Sequence, residues 1–387
     1  MEKTDNKYVI ISGLALNDNN RGTAALGYGA FSFLQERGLL SKGTKILEIK
    51  SKGGRLHKKR VIAESTTEQT IAGTEWVVET RCVNVVEWRL MLHLGVLIPF
   101  TKLWRLAKKV EYVAAINGGD GFSDIYDTRV FHSRLGLSKL AMAAKIPLIL
   151  LPQTIGPFSE GKNLALATKI LRYAKHVFVR DDCFVANLNK MGVKHELTND
   201  LSYYMKPEPF DIKIDRSKAI GINVSGLAWD NKFHTLAGQF DIYPELITRL
   251  ILMFQKKGNM VYLISHSYNF NKPELYNDDL KAAREAYNRL ENKTNVVLID
   301  CNLISPQIKY VISQMSFFVG TRMHANYAAI FTKVPVFGLA YSYKFKGAFE
   351  NNDIFNRTCE INNISALDID HILSTIDMAY QEDVLHC

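Results

Sequence analysis

The sequence predicts an α/β protein made of two Rossmann-like, parallel-sheet domains. Three observations carry this reading. Short apolar runs, Gly- or Asp-rich turns and helical patterns alternate along the chain, which is the signature of parallel strands with crossover helices. The alternation breaks at 206–215 (KPEPFDIKID), where two prolines and alternating charges read as a linker, and then restarts. A length of 387 residues with 47% hydrophobic content exceeds one ordinary core and suits two domains.

In the first half, strands are expected at 8–12, 45–49, 112–116, 148–151 and 177–179. Helices are expected at 23–37, 129–145, 161–175 and 183–191, where apolar residues recur at helical spacing. Past the linker, strands are expected at 219–224, 260–264, 296–299, 317–319 and 334–339, with helices at 240–257, 274–291, 305–315 and 324–331 between them. The domains are therefore set at 1–206 and 216–362. The tail, 363–387, is expected to form a closing helix that packs back on the first half. Two such halves imply a cleft, with ligands beyond the strand carboxyl ends.

The composition excludes several classes. A charged content of 22%, with 24 Gly and 10 Pro, excludes a largely disordered or collagen-like chain. The net charge of +9 suits anionic partners: phosphorylated substrates, nucleic acid or an acidic membrane face. Cys82, Cys183, Cys301, Cys359 and Cys387 are scattered and odd in number, so neither a disulfide framework nor a cysteine zinc site is expected and a reducing cytoplasm fits. The polar start of the chain predicts no signal peptide. The most apolar stretch, 90–100, is interrupted by His93, Gly95 and Pro99. It is too short for a bilayer span of about 20 residues.

Five turns at predicted strand ends could carry chemistry. Asn19-Asn20-Arg21-Gly22-Thr23 opens a small-residue helix; it reads as an anion site on exposed N–H groups or as a capped helix. Asn117-Gly118-Gly119-Asp120-Gly121 lets backbone approach a ligand, and Asp120 and Asp124 are candidate hydroxyl ligands or bases. Pro152-Gln153-Thr154-Ile155-Gly156-Pro157 is a stiff wall presenting Gln153 and Thr154, or only a turn. Arg180 either clamps an anion or pairs with Asp181 or Asp182. Most weight falls on Gly320-Thr321-Arg322-Met323-His324. Here an Arg fork suited to carboxylate or phosphate and a His that titrates near neutrality sit where a strand meets a helix N-terminus. Ser265-His266-Ser267 is equally readable as structural or substrate-facing, and Lys344 and Lys346 either complete an anion site or are solvated.

Two further stretches concern surfaces. The basic run 51–60 (SKGGRLHKKR) reads as a solvated loop or as a contact for lipid phosphates; without a helix-turn-helix or interleaved aromatics, nucleic acid is not expected. In 87–110, Trp88, Arg89, Trp104, Arg105, Lys108 and Lys109 flank an apolar block. That pattern suits a segment at an anionic membrane surface, or a buried helix pair broken at Pro99.

Taken in order, the loop at Asn19, the turn at Gly118–Gly121, the Pro152–Pro157 loop, Arg180-Asp181 and Gly320–His324 resemble the polysaccharide pyruvyl transferase family. The early loop departs from the family pattern in lacking an acidic residue after Gly22. The resemblance implies a fold like the GT-B glycosyltransferases. It also implies transfer of a pyruvyl group from phosphoenolpyruvate to two hydroxyls of one sugar, giving a cyclic ketal and phosphate. On that reading His324 is the general acid, and Asp120 or Asp124 takes hydroxyl protons. Arg322, Gly320 and Thr321 bind the donor with Arg180 and Lys344, while Gln153, Asn19, Gly118 and Gly119 line the site. No metal or other cofactor is expected. The acceptor is expected to be a sugar on a lipid-diphosphate carrier, met at the inner face of the plasma membrane by a cytoplasmic protein. The rival readings are a nucleotide-sugar glycosyltransferase, with Glu350 as ribose contact, and a non-catalytic carbohydrate-binding protein.

Overall fold

A computed structural model of the chain describes residues 7–52, 63–125, 127–159, 161–341, 345, 349–350, 352–354 and 356–385. It divides into two units, Met1–Leu14 with Leu26–Leu201, and Ala15–Ala25 with Ser202–Cys387. The division falls inside the helix Arg21–Glu36, whose first residues belong to the second unit.

The first unit contains β1 (Tyr8–Ile11), β2 (Lys45–Lys52), β3 (Ser65–Ile71), β4 (Thr74–Asn84), β5 (Val110–Ala115), β6 (Leu148–Gln153), β7 (His176–Val179) and β8 (Glu196–Leu197). They form one sheet in the order β3-β4-β2-β1-β5-β6-β7-β8. Only the β3–β4 pair is antiparallel. The second unit contains β9 (Ala219–Asn223), β10 (Met260–Ile264), β11 (Val296–Leu298), β12 (Phe317–Gly320), β13 (Val336–Ala340) and β14 (Thr358–Glu360), ordered β11-β10-β9-β12-β13-β14 and parallel throughout.

Both sheets share one winding. Without the edge strands β3 and β8, the first sheet also runs third, second, first, fourth, fifth, sixth. That order reverses direction between its first and fourth strands, and the crevice beyond their carboxyl ends is where such sheets take ligands. The first unit's switch point lies between β1 and β5, the second's between β9 and β12. The sequence placed most of these strands because buried parallel strands are apolar on both faces; all five residues of β9 are buried. Gly221 inside β9 leaves room for the Phe318 ring of β12, which an added Cβ would strike. The helix Tyr243–Lys256 starts with Pro244 in its first turn and buries Leu246, Ile247, Leu250, Ile251 and Phe254 at helical spacing against that sheet.

Several elements differ from expectation. The single helix expected at 129–145 is two, Thr128–Arg134 and Gly136–Ala144, joined at buried Leu135. Gly136 faces the Trp88 ring, where an added Cβ would come to 3.0 Å. The β3–β4 hairpin was not legible: β3 is polar and largely exposed, and its tight turn puts Ala72 and Gly73 at φ of 51° and 73°. The segment at 87–110 forms the helices Val85–Leu94 and Lys102–Ala107 with Met91, Leu103 and Ala107 buried, so its inner side follows the helix-pair reading. The closing helix, Asp368–Tyr380, places Ile369, Ile372, Leu373, Ile376 and Tyr380 in the second unit's own core, where packing on the first half was expected. Of the basic run, residues 53–60 lie outside the described residues. Among the described residues no helix is long and apolar enough to cross a membrane.

Phe254 is fully buried while Leu252 on the same helix is exposed. Phe254→Ala should lower the unfolding free energy by about 3–5 kcal/mol and Leu252→Ala by about 0.5 kcal/mol or less, read by urea denaturation.

Candidate active site

The second unit's switch point is held by a buried carboxylate. Asp279 is fully buried and accepts bonds from the backbone N–H groups of Gly226 (2.8 Å), His266 (3.1 Å) and Ser267 (2.9 Å). It also receives Arg322 through Nη2 at 2.7 Å and Nε at 3.1 Å. Arg322 Nη2 donates in addition to Asn277 Oδ1 at 2.7 Å. Burial alone would lower the guanidinium's pKa, but the Asp279 carboxylate outweighs it and holds the value above its ordinary level. Arg322 is therefore a fixed, permanent cation.

Neighbouring polar groups set the backbone. Asn223, at the end of β9, accepts from Arg322 N at 2.8 Å and donates to Ile264 O at 3.0 Å, tying together the ends of β9, β10 and β12. Thr321 is fully buried, with its hydroxyl 2.8 Å from Tyr243 Oη, which accepts from Ser225 N. Arg322 is the N-cap of the helix Met323–Phe331 and makes no side-chain capping bond. The positive end of that helix favours an anion beside the guanidinium.

His324 lies in the first turn of this helix, half-buried. One neighbour is Gly22: a Cβ there would collide with the imidazole, so the absence of a side chain makes the contact possible. The other is His266, nearly parallel to His324 at 10° with ring centroids 6.5 Å apart. Burial, and then the nearby His324, Arg322 and Arg21, push His266 well below its ordinary pKa, so it is neutral. The loop carrying Gly22 is pinned by Arg21, which donates to Leu303 O at 2.8 Å and Asn302 Oδ1 at 3.1 Å and lies over the Tyr268 ring. Asn20 Oδ1 accepts from Gly22 N at 3.0 Å. Beside this loop is a cavity of about 220 Å³ lined by Asn17, Asn19, Arg21, Asn269 and Asn302 among others.

The first unit's switch point carries the glycine turn. Gly118 and Gly119 have φ of 77° and 83°, values that L side chains rarely adopt. Gln153, fully buried, accepts from Asn117 N at 2.9 Å and donates to Ala115 O at 3.3 Å, bracing the turn from beneath. Asp120 is mostly buried, with Arg134 Nη1 at 3.9 Å.

The family model described as polysaccharide pyruvyl transferase matches residues 20–343. The chain belongs to the polysaccharide pyruvyl transferase family. A curated relative, the amylovoran biosynthesis protein AmsJ of Erwinia amylovora, is 21% identical over 261 residues, covering 63% of this chain and 60% of that protein. The chain thus matches less than two thirds of that relative's length. Among solved structures, UDP-GlcNAc 2-epimerase from Methanocaldococcus jannaschii superposes with a TM-score of 0.55 at 10% identity, covering 98% of this chain and 92% of the other. That likeness is one of fold, and it agrees with the GT-B-like α/β class expected from the sequence. The Neisseria meningitidis UDP-GlcNAc 2-epimerase, at 13% identity, covers 97% of this chain and 92% of that one with a TM-score of 0.49.

Within this member of the family the predicted site residues sort into two sets. Arg322 and His324 stand together at the second switch point, and Gly118, Gly119 and Asp120 at the first. Others serve as supports. The Gln153 and Thr321 side chains are buried in the bonds above. Gly320 gives room to Asn326, whose side-chain nitrogen donates to Gly320 O at 3.1 Å. Asp124 accepts from Ser159 N (2.8 Å) and from Asn163 Nδ2 (2.9 Å) of the helix Gly161–Tyr173, which ties its loop to the start of that helix. Arg180 pairs with fully buried Asp200 at 2.6 Å and donates to Thr154 Oγ1 at 2.9 Å, while Asp181, an expected partner, stands at 3.7 Å. Asn19 accepts at its carbonyl from Tyr268 N and lines the cavity, while Asn20 caps its helix as the bland reading had it. Lys344 and Lys346 lie outside the described residues. Among the described residues no group of three or more His, Cys, Asp or Glu side chains is placed to hold a metal ion.

Sequence reasoning missed Asp279 and Asn223. Asp279 follows Asp278, which caps the helix Asp279–Arg289 by accepting from Lys281 N. Two adjacent acids before a helix both look like caps. Both are buried; what separates them is that Asp279 also takes Arg322 and the N–H groups of Gly226, His266 and Ser267.

Two outcomes follow from these contacts. Asp279→Asn removes the countercharge from buried Arg322 and should cost about 3–5 kcal/mol of stability, read by urea unfolding. Burial disfavours the proton on folded His266, whereas the unfolded chain takes one up near pH 6.5. Stability is therefore full above that pH and falls below it. Between pH 7 and 5.5 the wild type should lose about 1 kcal/mol more than His266→Gln.

Proposed function

We propose that this chain transfers the enolpyruvyl group of phosphoenolpyruvate onto two hydroxyls of one sugar in a surface-polysaccharide precursor, forming a pyruvate ketal and releasing phosphate. The observation supporting it is that one helix start carries both Arg322, held cationic by Asp279, and, two residues on, His324. The donor carries a carboxylate and a phosphate on three carbons. A fixed guanidinium beside a helix N-terminus suits those charges.

His324 then delivers its proton to the methylene carbon, which becomes a methyl group and leaves the adjacent carbon electron-poor. The first sugar hydroxyl forms a C–O bond to that carbon, the bond to phosphate breaks, and the second hydroxyl closes the ring. Of the two hydroxyl protons released, one restores the general acid and the other leaves with phosphate. Neutral His266 alongside spares His324 a second cationic imidazole while it is protonated. A lipid-diphosphate carrier for the acceptor completes the reading.

The test is phosphate release from phosphoenolpyruvate with lipid-diphosphate-linked galactose, glucose and mannose as probes, followed by product mass. A ketal adds pyruvate less one water. Arg322→Ala and His324→Ala should each slow release by roughly 100-fold or more, as expected for loss of a charge clamp or a general acid. Gly22→Ala, which pushes a methyl into the imidazole, should slow it by about 10-fold or more, in line with small displacements of a reacting group. Full-rate release by the Arg322 and His324 variants, or consumption of a nucleotide sugar in place of phosphoenolpyruvate, overturns the proposal.

A further inference from the structure

On the first unit, the loop between the helices Val85–Leu94 and Lys102–Ala107 presents apolar side chains to solvent. Leu94, Val96, Ile98 and Phe100 are 64%, 54%, 41% and 76% exposed. Leu97 among them packs against the first unit's core, so the stretch is anchored while its neighbours on both sides are exposed. This is more apolar surface, in one short stretch, than a loop needs for its own folding.

The tip is also held in shape. Phe100 has φ of 63°, a left-handed conformation that bulky residues avoid. Its carbonyl accepts from Arg105 Nε at 3.1 Å and Nη2 at 2.7 Å. The Phe100 ring lies 5.4 Å from that of Trp104, and Lys108 Nζ lies 3.8 Å from the Trp104 centroid. An exposed aromatic is thus fixed in a strained backbone by a neighbouring arginine, with a second aromatic and a lysine behind it. Residues 86–109 contain five Lys or Arg and one acid, Glu87, which is engaged by Leu103 N at 3.1 Å. Lys102 pairs with Glu64, while Arg89, Arg105, Lys108 and Lys109 remain on exposed positions.

We propose that this loop is a docking surface for an anionic lipid bilayer, with Val96, Ile98 and Phe100 entering the interface and the basic side chains meeting lipid phosphates. Apolar tips backed by Trp, Lys and Arg match the chemical layering of a bilayer surface, and the positive charge selects acidic headgroups. The inference is independent of the reaction, since it involves neither switch point.

The test is co-sedimentation of the full chain with vesicles of phosphatidylcholine alone and of phosphatidylcholine with about one third phosphatidylglycerol. The chain should bind the anionic vesicles, bind the neutral ones far less, and detach as salt rises. Ile98→Asp with Phe100→Asp should lower the bound fraction by about 10-fold or more; Ile98→Ser with Phe100→Ser should lower it without added charge. Leu275→Asp, at a side chain 77% exposed in the second unit, should bind as the wild type does. Thermal unfolding of each variant identifies any that fails to fold. Absence of wild-type binding to anionic vesicles, or wild-type binding by the folded Ser or Asp tip variants, overturns the proposal. So does self-association of the chain that the tip variants abolish while vesicle binding persists.

Discussion

The second unit depends on one buried ion pair. A carboxylate and a guanidinium removed from water are each costly, and they persist only where their remaining hydrogen-bonding capacity is met. Asp279 meets that condition with three backbone N–H groups besides Arg322. Those N–H groups belong to the segments after β9 and β10. The same carboxylate therefore fixes the strand ends and the cation between them. Arg322 in turn begins the helix that carries His324, so the position of the imidazole follows from the position of the charge.

The two sheets have the same strand order but solve the crevice differently. In the second, charge sets the geometry, and the result is a permanent cation beside an imidazole. In the first, neutral groups do so: the Gln153 amide bridges Asn117 N and Ala115 O under a turn of glycines at positive φ. Its buried ion pair, Arg180 with Asp200, stands behind the turn as support. A fixed guanidinium beside a helix N-terminus suits a small anion, while glycines at positive φ, with Asp120 and Arg134 beside them, let a polar ligand approach the backbone closely. This difference follows from side-chain chemistry alone and agrees with a family whose members act on polysaccharides.

Much of this was legible in the sequence, and the reason is physical. Parallel strands buried on both faces appear as apolar runs, so their ends, and the polar residues placed there, could be located; Arg322 and His324 stand out on that basis. What escaped was everything set by distance in the chain. Asp279 is 43 residues from Arg322, and nothing local distinguishes it from a helix cap. The partners of Asp124, Ser159 N and the Asn163 side chain, are 35 and 39 residues away, at the entry to and in the first turn of the helix Gly161–Tyr173. Arg180 sits beside two aspartates in sequence yet makes its short bond to Asp200. The β3 strand escaped because a polar edge strand has no apolar period to read. In 87–110 the inner faces of two helices are core, and the apolar tip between them is exposed.

Binding of the carboxylate and phosphate of phosphoenolpyruvate by Arg322 is measured by calorimetric titration of phosphoenolpyruvate and of UDP into the wild-type chain and into Arg322→Lys. A lysine retains the charge but lacks the planar fork that Asp279 orients. The account predicts that phosphoenolpyruvate binds the wild type, binds Arg322→Lys at least about 10-fold more weakly, and binds in preference to UDP. Equal affinity of the two proteins for phosphoenolpyruvate, or binding of UDP alone, would contradict it.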